Sequence, residues 1–204
     1  MNADSDVRRK VAKEAATLLY FGAAKEDKQA KLKAAKTIGS TFLPSNLEVA
    51  LELDKIVDML EAAARKERLV RMRKEALQIM TILKEYCPVL IGSVWRGNIR
   101  QGSDIDISMY YDTPEDIVDT LKEKGFKISK TERMTETKVG TPETSLHIYV
   151  ETKSKQTAEL VVRNAEEAES KRKCEIFGDE ISGLKVEELE RLLNENPTEK
   201  FLPV

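Results

Sequence analysis

Apolar residues recur at helical spacing through most of the first 86 positions. In "VRRKVAKEAATLLYFG" Val7, Val11, Ala15, Leu18 and Leu19 share one face, with Ser5 or Asp6 placed to cap the start. "KEDKQAKLKAAKTIG" keeps the rhythm and stops at Gly39, and Pro44 then breaks the chain. Ser45 or Asn46 is positioned to cap "LEVALELDKIVDMLEAAA", whose Val49, Leu53, Val57 and Leu60 form a stripe. "KERLVRMRKEALQIMTILKEY" carries another, through Leu69, Met72, Ala76, Met80 and Leu83. These stripes predict helices packed on helices.

Beyond residue 86 the period changes. "PVLIG" is a short apolar run ended by glycine, and "DIDISMYY" alternates and is β-branched. "TPEDIVDTLKEKG" predicts a helix with Thr113 as N-cap, Pro114 at its first position and Gly125 as its stop. "FKISKTERM", "TSLHIYVE" and "AELVVR" predict three further strands, the last two joined by the polar hairpin loop "TKSKQT". After residue 164 the pattern returns to helix in "AEEAESKRK" and "KVEELERLLNEN", stopped by Pro197, and "TEKFLPV" reads as an extended tail. The division expected is a helical region over 1–86, a small α+β core over 87–164 and a helical extension over 165–204.

Composition narrows the function. Of 204 residues 41% are hydrophobic, enough for a core, and 34% are charged with a net charge of only -2. A nucleic-acid surface would therefore have to be a local patch rather than a bulk charge. The run Arg65, Lys66, Arg68, Arg71, Arg73, Lys74 is one such stretch, though such runs are more often a solvated helix face. Two cysteines, Cys87 and Cys174, make neither a disulfide framework nor a metal spacing, which suits a reducing cytoplasm. No run of about 18 apolar residues predicts a membrane span. With one histidine, His147, zinc is disfavoured, and any metal would be a hard cation on oxygen ligands.

The chemistry concentrates in "LIGSVWRGNIRQGSDIDIS", residues 90–108. A strand that ends in Gly92-Ser93 and turns into a helix offers free backbone N–H groups to phosphate, and Ser93 adds a hydroxyl. Arg96 and Arg100 follow as bidentate donors for further phosphate oxygens. In a strand Asp104 and Asp106 project from one face, roughly 7 Å apart, while Ile105 and Ile107 project from the other. Two such carboxylates repel unless a proton or a cation joins them. Trp95 suits base stacking or packing equally.

These residues resemble the nucleotidyltransferase motif of the DNA polymerase beta superfamily: a hydrophobic residue, Gly-Ser, about ten residues, then Asp-hydrophobic-Asp-hydrophobic. Arg96-Gly97 matches the Arg-Gly of its smaller members, and Ser103 the small polar residue that precedes the first Asp. The whole chain, including "LPSNLEVALELD", is also similar to uncharacterised archaeal proteins predicted to be nucleotidyltransferases. The resemblance implies an α+β fold, with a small mixed sheet, helices on one face, an all-helical region before it and helices after. It implies Mg2+, or Mn2+, on Asp104, Asp106 and a third carboxylate, with Gly92, Ser93, Arg96, Arg100 and Ser103 around the phosphates. Glu159 in "AELVVR" is the expected third carboxylate and candidate base, with His147 and Glu151 on the preceding arm as competitors. The activity implied is transfer of a nucleoside monophosphate from a nucleoside triphosphate, ATP among them, to a hydroxyl of RNA, a protein or a small molecule. The alternative is a degenerate fold that binds nucleotide or RNA without turnover. Base, acceptor and oligomeric state are left open by the sequence.

Overall fold

The structure is a computed structural model that describes residues 3–138 and 141–203, so Val204 of the expected tail lies outside the described residues. The order is α1 (Ala3–Tyr20), α2 (Asp27–Ile38), α3 (Asn46–Ile82), β1 (Val89–Ile91), α4 (Gly92–Arg96), β2 (Ile105–Tyr110), α5 (Pro114–Glu123), β3 (Lys127–Lys138), β4 (Thr141–Glu151), β5 (Thr157–Arg163) and α6 (Val186–Glu195). Two compact units emerge, one up to Arg65 with Lys173–Glu180, the other Lys66–Arg172 with Ile181–Leu202.

In the first unit α1 and α2 bury small residues, Val11, Ala12, Ala15, Ala30 and Ala34, together with Val49 and Ile56 of α3. Gly39 ends α2 in the left-handed region (φ 72), and its N–H reaches the carbonyls of Ala35 and Lys36. Ser45 starts α3 with a reciprocal pair: its Oγ accepts from Glu48 N at 3.1 Å, and Glu48 Oε2 accepts from Ser45 N at 2.7 Å. Burial works to raise the Glu48 pKa, but the hydrogen bonds from Ser45 and the Arg8 charge outweigh it and hold it below the usual value. Ser5 and Asp6 fall inside α1 rather than at its cap, because the helix already begins at Ala3. The expected stripe also fails at Leu60, which is 54% exposed. The helical backbone breaks two residues later at Ala62 (φ 29, ψ -107), so the face does not continue. Arg65, buried, braces that break by pairing with Asp54 and Asp58 at 2.5 Å each.

The second unit is a five-stranded mixed sheet in the order β1-β2-β5-β4-β3. β2 and β5 run parallel, and the other neighbours run antiparallel. Alternation decides its two faces. Ile105, Ile107, Met109, Ile148, Val150, Ala158, Leu160 and Val162 are buried on one face against α3, α5 and α6, represented by Met72, Met80, Ile117, Leu121 and Leu189. Asp106, Glu159, His147 and Tyr149 alternate with these and so project from the other face.

Thr113 takes the N-cap position of α5 and Pro114 follows at the helix start, as expected, with the Thr113 hydroxyl donating to Asp116 Oδ2 at 2.7 Å and not bonded to a backbone N–H. One local expectation is corrected. "AEEAESKRK" forms only a short 3-10 turn over Ala165–Glu169, because it buries no residue and has no apolar face to pack. The tail docks within the second unit, where Phe201 N donates to the carbonyl of Arg96 at 2.9 Å.

Candidate active site

Gly92 occupies the left-handed region (φ 69) at the turn from β1 into α4. A Cβ at this position would collide with Asp106 Oδ2, so glycine is required twice, by conformation and by space. The turn is thereby pressed against the second aspartate. Gly97 closes α4 in the same backbone region (φ 73), with its N–H on the carbonyl of Ser93.

Arg73 fixes α4 from below. It is fully buried, and its guanidinium donates to the carbonyls of Val94 (3.1 Å), Trp95 (2.8 Å), Pro197 (2.8 Å) and Glu199 (2.9 Å). Burial depresses its pKa to about 10, partly offset by the Glu199 charge, which still leaves it cationic at neutral pH. A cation on carbonyls at a helix C-terminus is favourable.

The register sets the carboxylates. β2 and β5 pair Asp106 with Glu159 at the same level, and β5 and β4 pair Glu159 with Tyr149. Adjacent strands lie about 4.8 Å apart, so Asp106 and Glu159 are close neighbours. Asp104, one step beyond the end of β2, is hydrogen-bonded by Thr157. Glu151 lies on the same arm as Tyr149 but is drawn to Lys127 across the sheet, 3.2 Å away. His147 stands next to Glu159, its Nδ1 2.6 Å from Glu159 Oε1. A carboxylate only accepts, so Nδ1 donates to it, while Nε2 lies 2.9 Å from Ser145 Oγ. Tyr149 Oη donates to the same Oε1 at 3.0 Å.

The electrostatics follow. Burial, then Glu159, then Asp104 push the Asp106 pKa up to about 7. Burial and Glu159 raise Asp104 as well, against a lowering hydrogen bond from Thr157. Burial and the bonded Glu159 carboxylate raise the Tyr149 hydroxyl to about 12. Three carboxylates that repel one another, all with hard oxygen donors, suit a small divalent cation that would relieve the repulsion. Among the described residues no cluster of three His, Cys, Asp or Glu is already drawn together as a cage, and Glu159 leans toward His147 and Tyr149.

The remaining expected residues are placed unevenly. Ser93 is half-buried and next to Gly92. Arg100 is exposed in the loop before β2, and Ser103 Oγ accepts from its backbone N–H at 2.9 Å, closing that loop. Arg96 is not brought to the carboxylates. It is 3% exposed, stacks 4.5 Å over Trp95 and donates to the carbonyl of Phe201 at 3.2 Å. Trp95, 4% exposed, packs in the core instead of offering a face to a base. Tyr149 and Arg73 were missed from the sequence. The alternation Ser145, His147, Tyr149 pointed to the first, since all three share the face of Glu159. Nothing local marked Arg73, whose partners lie up to 126 residues away.

A family model described as a nucleotidyltransferase domain matches residues 78–187, more than half of the chain. The chain belongs to that family. Among solved structures it is similar to a mutant Cid1 poly(U) polymerase bound to MgATP. That match has 18% identity and a TM-score of 0.33, and it covers 55% of this chain and 38% of that one. No curated protein matches.

Proposed function

We propose that the protein moves a nucleoside monophosphate from a nucleoside triphosphate to a hydroxyl acceptor and releases pyrophosphate, with Mg2+ or Mn2+ held by Asp104, Asp106 and Glu159. The observation that carries this reading is the level pairing of Asp106 with Glu159 beside the Gly92-Ser93 turn, with Asp104 near enough for its charge to push the Asp106 pKa up. The acceptor oxygen bonds to the α-phosphorus as the bond to the pyrophosphate oxygen breaks. The turn at Gly92 and the Ser93 hydroxyl hold phosphate oxygens, and Arg100, exposed beside them, meets charge on the leaving group. Glu159 is the base we assign to the acceptor proton. His147 and Tyr149 both hold its Oε1, which orients the carboxylate. The bound cation would supply charge stabilisation at the triphosphate and activation of the acceptor. Arg96 has no part in this scheme, because its guanidinium serves the C-terminal tail. Both cysteines are free, and we place the protein in the reducing cytoplasm.

The test is incubation with α-labelled nucleoside triphosphates and MgCl2 or MnCl2, following labelled product and pyrophosphate. Asp104→Asn and Asp106→Asn should each abolish turnover, by at least about a hundredfold, and EDTA should do the same. Nucleotide binding that survives with no turnover on RNA, protein or small-molecule acceptors would identify a degenerate binding module instead.

A further inference from the structure

Positions 67, 70, 71, 74, 75 and 78 of α3 lie along one side of the helix. With Lys66 and Lys153 they line an open depression of about 570 Å³. It continues past Gln78 into a second, of about 490 Å³, that reaches Lys124 and Phe126. Lys66, Arg71, Lys74, Lys124 and Lys153 therefore line two adjoining depressions that share Glu75, Gln78 and Lys153 and together form a groove. None of the five has an ion pair or a side-chain hydrogen bond among the described residues. Several cations elsewhere on this unit are matched, as in Arg133–Glu115, Lys122–Asp119 and Lys127–Glu151.

The lining contains two carboxylates, Glu67 and Glu75. Glu75 is 8% exposed and spent on the β4–β5 turn, where it accepts from Thr152 Oγ1 (3.0 Å), Ser154 N (2.8 Å) and Ser154 Oγ (2.8 Å). That contact also fixes where the groove leads. β5 leaves this turn at Thr157, which hydrogen-bonds Asp104, and it carries Glu159. The cationic groove thus runs past the turn from which the strand bearing the third carboxylate starts.

We propose that this groove binds the phosphate backbone of a single-stranded polynucleotide, RNA or DNA, and delivers its 3′ hydroxyl as the acceptor. The proposal rests on the transferase reading above and names its acceptor class. Lys66 to Lys74 spans about 12 Å of helix, long enough for more than one phosphate. The groove combines uncompensated cations with an apolar floor and the ring of Phe126, the pairing of charge and stacking surface that single strands exploit. An acidic peptide would use the charges and leave the ring idle.

The experiment measures anisotropy of 5′-labelled single-stranded RNA and DNA of about twelve nucleotides, in EDTA and without nucleotide, so that binding is read apart from chemistry. The wild type should bind, and Asp104→Asn should bind as tightly. The triple variant Arg71→Gln, Lys74→Gln, Lys153→Gln should lose about tenfold or more and lower the salt slope by about two, the loss of three phosphate contacts on a single strand. All three positions are exposed, so the thermal midpoint should hold and show that the variant folds. An oligonucleotide ending in a 3′ phosphate should bind equally and accept no nucleotide. Wild-type affinity in the triple variant, or poly-glutamate competing as strongly as RNA, would overturn the proposal. If binding follows these expectations while no acceptor is labelled, the groove stands and the transferase reading fails. If transfer occurs to some other acceptor and no strand binds, the reverse holds. A tighter RNA than DNA signal identifies which strand the groove serves.

Discussion

Asp106 shows how far one residue's surroundings set its behaviour. Its carboxyl titrates near 7 because burial and two neighbouring carboxylates oppose its charge. The sign of the linkage is fixed by that elevation: the folded state holds the proton more tightly than the unfolded state. Stability is therefore full below the unfolded value of 3.8 and is lost as pH rises toward about 7. In EDTA the folded protein should lose on the order of 2 kcal/mol between pH 4 and pH 8, read as a falling denaturation midpoint. Asp106→Asn should flatten that slope and leave the chelated protein more stable at pH 8, although it has lost turnover. A melting curve insensitive to pH in the wild type would contradict the electrostatic account. Gly92→Ala should be severe for a different reason, since its methyl group meets Asp106 and its φ is positive. A loss of about 2 kcal/mol or more and of nearly all activity is expected, measured by urea titration and nucleotide transfer.

At the level of elements, most of what the sequence foretold rests on periodicity, and the misses mark where periodicity carries no information. The β2 alternation of Asp104, Ile105, Asp106 and Ile107 told which residues share a face, and the burial of both isoleucines matches it. It did not tell which strand lies beside them. Parallel pairing of β2 with β5 joins residues fifty-three apart, and only that pairing sets Glu159 level with Asp106. Arg96 looked like a phosphate ligand from spacing to Gly92-Ser93, but the docking of the tail takes its guanidinium inward. The basic run on α3 divides in the same way. Arg65 and Arg73 are buried struts, whereas Lys66, Arg71 and Lys74 are exposed. Charge alone cannot sort them, because their roles depend on partners distant in sequence. Two substitutions test these elements. Arg73→Met removes four hydrogen bonds to carbonyls, those to Val94 and Trp95 buried, and should cost about 3 kcal/mol, with impaired transfer because α4 is no longer held. Ser45→Ala should cost only about 1 kcal/mol, the usual loss for a capping box, and leave turnover unchanged. Equal effects from the two would argue against the strut.

For the molecule as a whole, helices and strands divide the labour. One face of the sheet buries its apolar residues under helices, which leaves the other free to carry Asp106, Glu159, His147 and Tyr149. A charge balance of -2 over 204 residues hides this organisation, since the cations and carboxylates that matter are separated in space rather than in number. Among the described residues no helix is long and apolar enough to cross a membrane.

The level pairing of Asp106 with Glu159 has one more consequence. Side chains alternate along both strands, so a slip of one residue between β2 and β5 would turn a carboxylate toward the core and an isoleucine or leucine toward the face that carries Asp106 and Glu159. A molecule folded in that register could not be a weakened catalyst; it would be a dead one. Under the transferase reading, active-site titration of a refolded preparation would then count correctly threaded chains, and a low count with normal rate per active molecule would report a folding error instead of a chemical one.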